Sequence, residues 1–103
     1  MKYHTILDKT VELTDERKLH IFQRHADVID HFAKIKQVLR SPDEIRIDTQ
    51  DANVLLFYKH FGTIGNGKYL VVVVKVNTRN FILTCYTTHR IKSGELYERK
   101  KTA

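Results

Sequence analysis

Between Tyr69 and Lys92 the chain reads YLVVVVKVNTRNFILTCYTTHRIK, and few folds accommodate such a stretch. Two apolar runs, Leu70 to Val74 and Phe81 to Leu83, flank the polar turn Asn77-Thr78-Arg79-Asn80, which predicts a β-hairpin. From Thr84 onward the apolar pattern stops. Tyr86, Thr87, Thr88, His89, Arg90 and Lys92 follow, so hydroxyls and cations gather at the exit of a buried strand, where a rigid sheet can hold reactive side chains.

The rest of the chain supplies layers for that hairpin. Residues 1–13 alternate weakly, with Tyr3, Ile6, Leu7, Val11 and Leu13 among polar neighbours, and read as a short lead-in strand or an extended segment. Thr14 followed by Asp15 and Glu16 marks a helix start: a hydroxyl to cap free N–H groups, then two acids at the positive end of the helix dipole. The helix is expected to run to about Ala26, with Leu19, Phe22 and Ala26 inward and Arg17, His20 and Arg24 on one flank. A second helical stripe, Val28, Ile29, Phe32, Ile35, Val38 and Leu39, ends at Ser41-Pro42-Asp43. Beyond Pro42 the period falls to two: Ile45 and Ile47 alternate with Glu44, Arg46 and Asp48, and Val54 to His60 forms another strand. The glycines at 62, 65 and 67 match neither a Walker loop nor a dinucleotide fingerprint and read as a hairpin loop. Ser93-Gly94-Glu95 turns the chain again, and residues 98–103 are expected to be a frayed basic tail. The expected class is α+β: N-terminal helices packed on an antiparallel sheet of about four strands, in one domain spanning residues 1–103.

Charge is distributed unevenly. Residues 1–53 carry nine Lys and Arg against ten Asp and Glu, whereas residues 54–103 carry nine against two. A single-sign field of this kind attracts polyanions, most often nucleic acid. Cys85, the only cysteine, reads as a small core residue. No stretch resembles a signal peptide or a membrane span, so the expected location is cytoplasmic, with no membrane partner.

Six histidines raise the question of a metal. His20 and His25 are five residues apart and diverge by about 140° on a helix, unlike ligands at i, i+4, and no third ligand stands ready; neither metal nor cofactor is expected. Phosphodiester cleavage suits these residues better. It needs a base, an acid and cations beside the phosphate, and the chain offers His20, Arg24 and His25 on the first helix with Tyr86, Thr88, His89, Arg90 and Lys92 on the last strand. A helix laid across the sheet would join the two sets. Each residue also has a plainer reading. His25 serves equally as a buried, hydrogen-bonded histidine and His89 as an exposed turn residue. Tyr58, Lys75 and Tyr86 fit an exposed sheet face of the sort that stacks bases and pairs phosphates.

The order of motifs is informative. HIFQRH at His20 to His25, VLRSPDEIR at Val38 to Arg46, then LFYKH, LVVVVKV and ILTCYTTHRIKSGE resemble the phage-type nucleases of the barnase, EndoU, colicin and RelE superfamily, most of all the second phage-associated family. The resemblance covers about residues 12–97. It implies a metal-independent endoribonuclease of toxin type, cleaving by 2′-hydroxyl attack to leave a 2′,3′-cyclic phosphate. By position the resemblance picks out His20, Arg24, His25, Tyr58, Lys75, Tyr86, Thr88, Arg90 and Lys92. Taken with the cationic flank and strand exit read above, the expected catalytic residues are His20, Arg24, His25, Tyr86, Thr88 and Arg90, and the expected RNA contacts are Arg17, Tyr58, Lys75, His89 and Lys92. RNA, whether tRNA or mRNA, is the expected partner, with no sign of DNA specificity; an acidic antitoxin or immunity protein is the expected second one. Two alternatives compete with catalysis: an RNA-binding module without turnover, and a basic domain built mainly for that acidic protein.

Overall fold

The computed structural model describes residues 1–92 and 94–99. Its elements are β1 (Lys2–His4), β2 (Thr10–Glu12), α1 (Asp15–Arg24), a 3₁₀ segment (Ala26–Lys34), α2 (Ile35–Arg40), β3 (Glu44–Ile47), β4 (Val54–Phe61), β5 (Lys68–Val76), β6 (Asn80–Thr88) and β7 (Glu95–Arg99). The strands form one sheet in the order β1-β2-β6-β5-β4-β3-β7. All neighbours are antiparallel except β2 and β6, whose parallel ladder is the single pair Glu12 with Phe81.

The α+β class holds, and the four expected strands are the central β3 to β6. The sheet is nonetheless seven-stranded and mixed. The lead-in segment folds into a hairpin of two three-residue strands, turned through Asp8 at φ 60° and held by the Thr5 hydroxyl, which accepts from the Leu7 amide. At the other end, Glu95–Arg99 pairs with β3 where a turn and the start of a tail were expected. The remainder of that expected tail, residues 100–103, lies outside the described residues, as does Ser93 of the expected turn.

Helix α1 starts as its sequence dictates, with the Thr14 hydroxyl accepting from the Arg17 amide at 3.1 Å. Its inward face differs from the expected one. Ile21 is fully buried, flanked by half-buried Lys18, Phe22 and His25, while Leu19 is 59% exposed and Ala26 lies outside both the helix and the core. The Lys18 stem explains the rotation: its ammonium sits 4.8 Å from the Phe32 ring and 5.8 Å from Phe22, so its methylenes cover the apolar surface Leu19 was expected to fill. Phe22 and Phe32 meet edge to face at 5.3 Å. The second stripe divides into the 3₁₀ segment and α2; Val28, Ile35, Val38 and Leu39 are buried as expected, but the tighter 3₁₀ winding turns Ile29 out to 47% exposure.

Both faces of the sheet are covered, by different means. The helices pack on Ile45, Leu55, Phe57, Leu70, Val72, Val74, Ile82 and Cys85. Burial pushes the Cys85 thiol up, so it stays protonated and acts as a core residue. On the opposite face Val54, Leu56, Tyr58, Val71 and Val73 form a second cluster. Its cover follows from topology. β6 is third in the sheet and β7 seventh, so the chain that leaves β6 passes over this face: residues 89–92 form a strap, and Ile91 packs onto the cluster beneath it.

Candidate active site

Strand register decides which side chains can meet. Tyr69, Val71, Val73 and Lys75 of β5 share the strap-covered face with Tyr58 and His60 of β4, Glu44 and Arg46 of β3, and Thr84, Tyr86 and Thr88 of β6. A bulge between Val73 and Val74 keeps the later residues of β6 in phase with this set.

The end of α1 reaches the same place from outside the sheet. Because β2 pairs with β6 only at Phe81, the outer side of β6 is otherwise met by α1 and the 3₁₀ segment. His25 is the residue where α1 stops: its amide still bonds the Ile21 carbonyl at 2.7 Å, but its φ of −134° turns the chain out of the helix. The imidazole comes to rest 5.9 Å from the Tyr86 ring, the planes tilted by 39°. Two residues on, the Asp27 carboxylate accepts from the Thr87 hydroxyl at 2.5 Å and ties the helical layer to the strand beside this contact. From the strap, the Lys92 ammonium lies 5.5 Å from the centre of the same Tyr86 ring. An imidazole, a phenol and an ammonium from three separate elements therefore converge.

Tyr58 lies behind Tyr86. It is wholly covered, and its hydroxyl lacks a hydrogen bond of good geometry, although the Lys92 backbone amide and the Tyr86 hydroxyl face it. Burial pushes the Tyr58 phenol up, and pushes Tyr86 up further, with Tyr58 and the carboxylate of Asp48 adding to the effect. Both phenols keep their protons through the neutral range, which suits them to donate rather than to accept.

The other expected residues divide into three groups. Arg17, His20 and Arg24 remain on the outer flank of α1, where Glu16, Arg17, Leu19, His20 and Gln23 border a shallow hollow. Among the described residues, no hydrogen bond, ion pair or ring contact joins these three side chains to β6. His89, Arg90 and Lys92 are exposed on the strap, and the Thr88 hydroxyl is engaged with the Arg90 backbone at 3.2 and 3.4 Å. Lys75 and Tyr58 do lie on the expected face, but neither is open there. Lys75 is ion-paired with Asp51, and Tyr58 is buried because the strap covers it.

Sequence reasoning did not single out Glu44 and Arg46. Their side chains pair at 3.0 Å on this face, and Arg46 also donates to the Gly94 carbonyl at 2.9 Å, anchoring the strap. The alternation Glu44-Ile45-Arg46-Ile47 already put them on one face. What it lacked was the knowledge that Tyr58 is the register partner of Glu44.

No curated protein and no solved structure gives a significant match. A family model does, described as phage-Barnase-EndoU-ColicinE5/D-RelE like nuclease3, and it matches residues 2–98. The superfamily is the one the motifs pointed to, and the branch that matches is the third of the phage-type set. With nearly the whole sequence aligned, the chain belongs to the phage-Barnase-EndoU-ColicinE5/D-RelE like nuclease3 family.

Proposed function

We propose that the protein is a metal-independent endoribonuclease of toxin type whose reaction centre lies at His25, Tyr86 and Lys92. The observation that carries this reading is the convergence of imidazole and ammonium on the protonated phenol of Tyr86 in β6. RNA contains its own nucleophile, so the protein need supply only proton transfer and charge neutralisation. His25 takes the proton from the 2′-hydroxyl. The 2′-oxygen then bonds to phosphorus while the bond from phosphorus to the 5′-oxygen breaks. Tyr86 gives its proton to the departing 5′-oxygen, and the products are a 2′,3′-cyclic phosphate and a 5′-hydroxyl. Lys92, with the exposed guanidiniums of Arg90, two residues before it, and of Arg24, next to His25 in the chain, offsets the charge that builds on the phosphate. His20 and Arg17, on the outer flank of α1, extend the basic surface toward the rest of the strand. The same exposed cations fit an acidic antitoxin or immunity protein that blocks the site.

The test is incubation with total RNA in excess EDTA, with His25→Ala and His20→Ala in parallel, followed by analysis of fragment ends. Discrete fragments with cyclic-phosphate ends, reduced about 10²–10⁴-fold by His25→Ala and far less by His20→Ala, support the assignment. Intact RNA with salt-sensitive binding would replace it with a binding module.

A further inference from the structure

Beside the reaction centre the same face carries an aromatic ladder that neither the family match nor the proposed chemistry uses. In register, His60 of β4 opposes Tyr69 of β5, and Tyr69 opposes Thr88 of β6. Three rings descend from surface to interior. His60 meets Tyr69 at 5.2 Å with planes at 77°, and Tyr69 meets Tyr58 at 6.1 Å with planes at 84°. Tyr58 is fully buried, Tyr69 half-buried and His60 exposed. Packing accounts for Tyr58 and for the inner edge of Tyr69. It does not account for an exposed imidazole held square to a tyrosine ring.

The turn before β5 keeps that imidazole in place. Gly67 has φ 103°, and a Cβ there would lie 3.2 Å from both Cε1 and Nε2 of His60, so the ring rests close against a glycine whose backbone conformation other residues rarely adopt. His60 is thus confined between the Gly67 backbone and Tyr69. β4 lies two strand spacings from β6, roughly 10 Å, so the notch formed by the two rings sits beside Tyr86 on the same face. An unpaired nucleobase is the flat π-surface such a notch accepts, stacked on one ring and touched at its edge by the other.

We infer that His60 and Tyr69 form a nucleobase-stacking subsite for the nucleotide adjoining the phosphate held at Tyr86. This rests on the proposed RNA substrate, and it adds a preference for unpaired over base-paired strands.

The experiment measures binding separately from cleavage. A fluorescent single-stranded 2′-O-methyl oligonucleotide, which offers no 2′-hydroxyl nucleophile, is titrated into wild-type protein, His60→Ala, Tyr69→Leu and Tyr69→Phe, with thermal melts of each. His60→Ala is expected to weaken binding about 10-fold at unchanged melting temperature, Tyr69→Leu to weaken it as much in a protein that melts lower but is fully folded at the assay temperature, and Tyr69→Phe to keep it within about twofold. Placing one abasic residue at each position in turn should cost the wild type about 10-fold at one position and add little to the loss in Tyr69→Leu. Variants that bind as the wild type does, a wild type that fails to bind the strand, or losses that do not depend on the abasic position would overturn the subsite. Cleavage of unmodified RNA by the same proteins separates the two ideas. Cleavage with abasic-insensitive binding removes the subsite alone, and abasic-sensitive binding without cleavage removes the nuclease reading alone.

Discussion

Tyr58 illustrates what one residue's sequence context leaves out. Alternation along Val54 to His60 put it on the correct face, but an alternating pattern reports phase and not cover, and its cover arrives from a segment more than thirty residues away. Its hydroxyl is now buried without a well-formed hydrogen bond, at a typical cost of about 1–3 kcal/mol. Tyr58→Phe is therefore expected to leave stability unchanged or raise it by about 1 kcal/mol in urea unfolding. His25 was legible differently. The sequence offered His20 and His25 as equals, and what separates them is where α1 ends: a helix running to Ala26 would have kept both rings on its surface, whereas termination at Arg24 sends His25 alone to Tyr86.

At the level of elements, the strands that read most clearly are those with the most consistent period, β4 to β6, and the elements missed are the short ones. Three-residue strands such as β1 and β2 carry too few positions to show alternation, and Glu95–Arg99 has its apolar residues adjacent, at Leu96 and Tyr97. A bulge between Ile45 and Arg46 in the pairing with β3 accommodates that break in pattern. The link between layers gives a prediction at this scale. Thr87→Val removes the hydroxyl that Asp27 accepts and loosens the junction that seats His25, so turnover should fall several-fold while substrate affinity holds; Thr87→Ser should restore it. Steady-state kinetics, with KM and kcat resolved, checks both. In the β4–β5 turn, Gly67→Ala meets strain from a left-handed φ and a close approach to His60, and is expected to cost at least about 1 kcal/mol in chemical denaturation.

Across the whole molecule, four groups share one bias. Burial is the first cause that pushes up the phenols of Tyr3, Tyr58 and Tyr86 and the thiol of Cys85. A pKa raised in the folded state favours the protonated form on folding. Its stabilisation is therefore complete below the ordinary value and drains away as pH climbs past it, beginning near 9.0 for the thiol and 10.0 for the phenols. The expected outcome is a fold insensitive to these groups at neutral pH that loses stability steeply in alkali, with a shallower slope in Tyr86→Phe; melts between pH 7 and 11 would show it. The topology also sets a dependence: the strap rests on the floor of Val54, Leu56, Val71 and Val73, and Arg46 of β3 holds its far end, so its position relies on strands that lie between β6 and β7. Lys92 and the anchoring carbonyl of Gly94 therefore hold their places only above an assembled β3, β4 and β5, whereas His25 meets Tyr86 through α1 and β6 alone. The ammonium proposed for the site is thus lent by the whole sheet, and a change that unseats the strap is expected to remove it while leaving imidazole and phenol together.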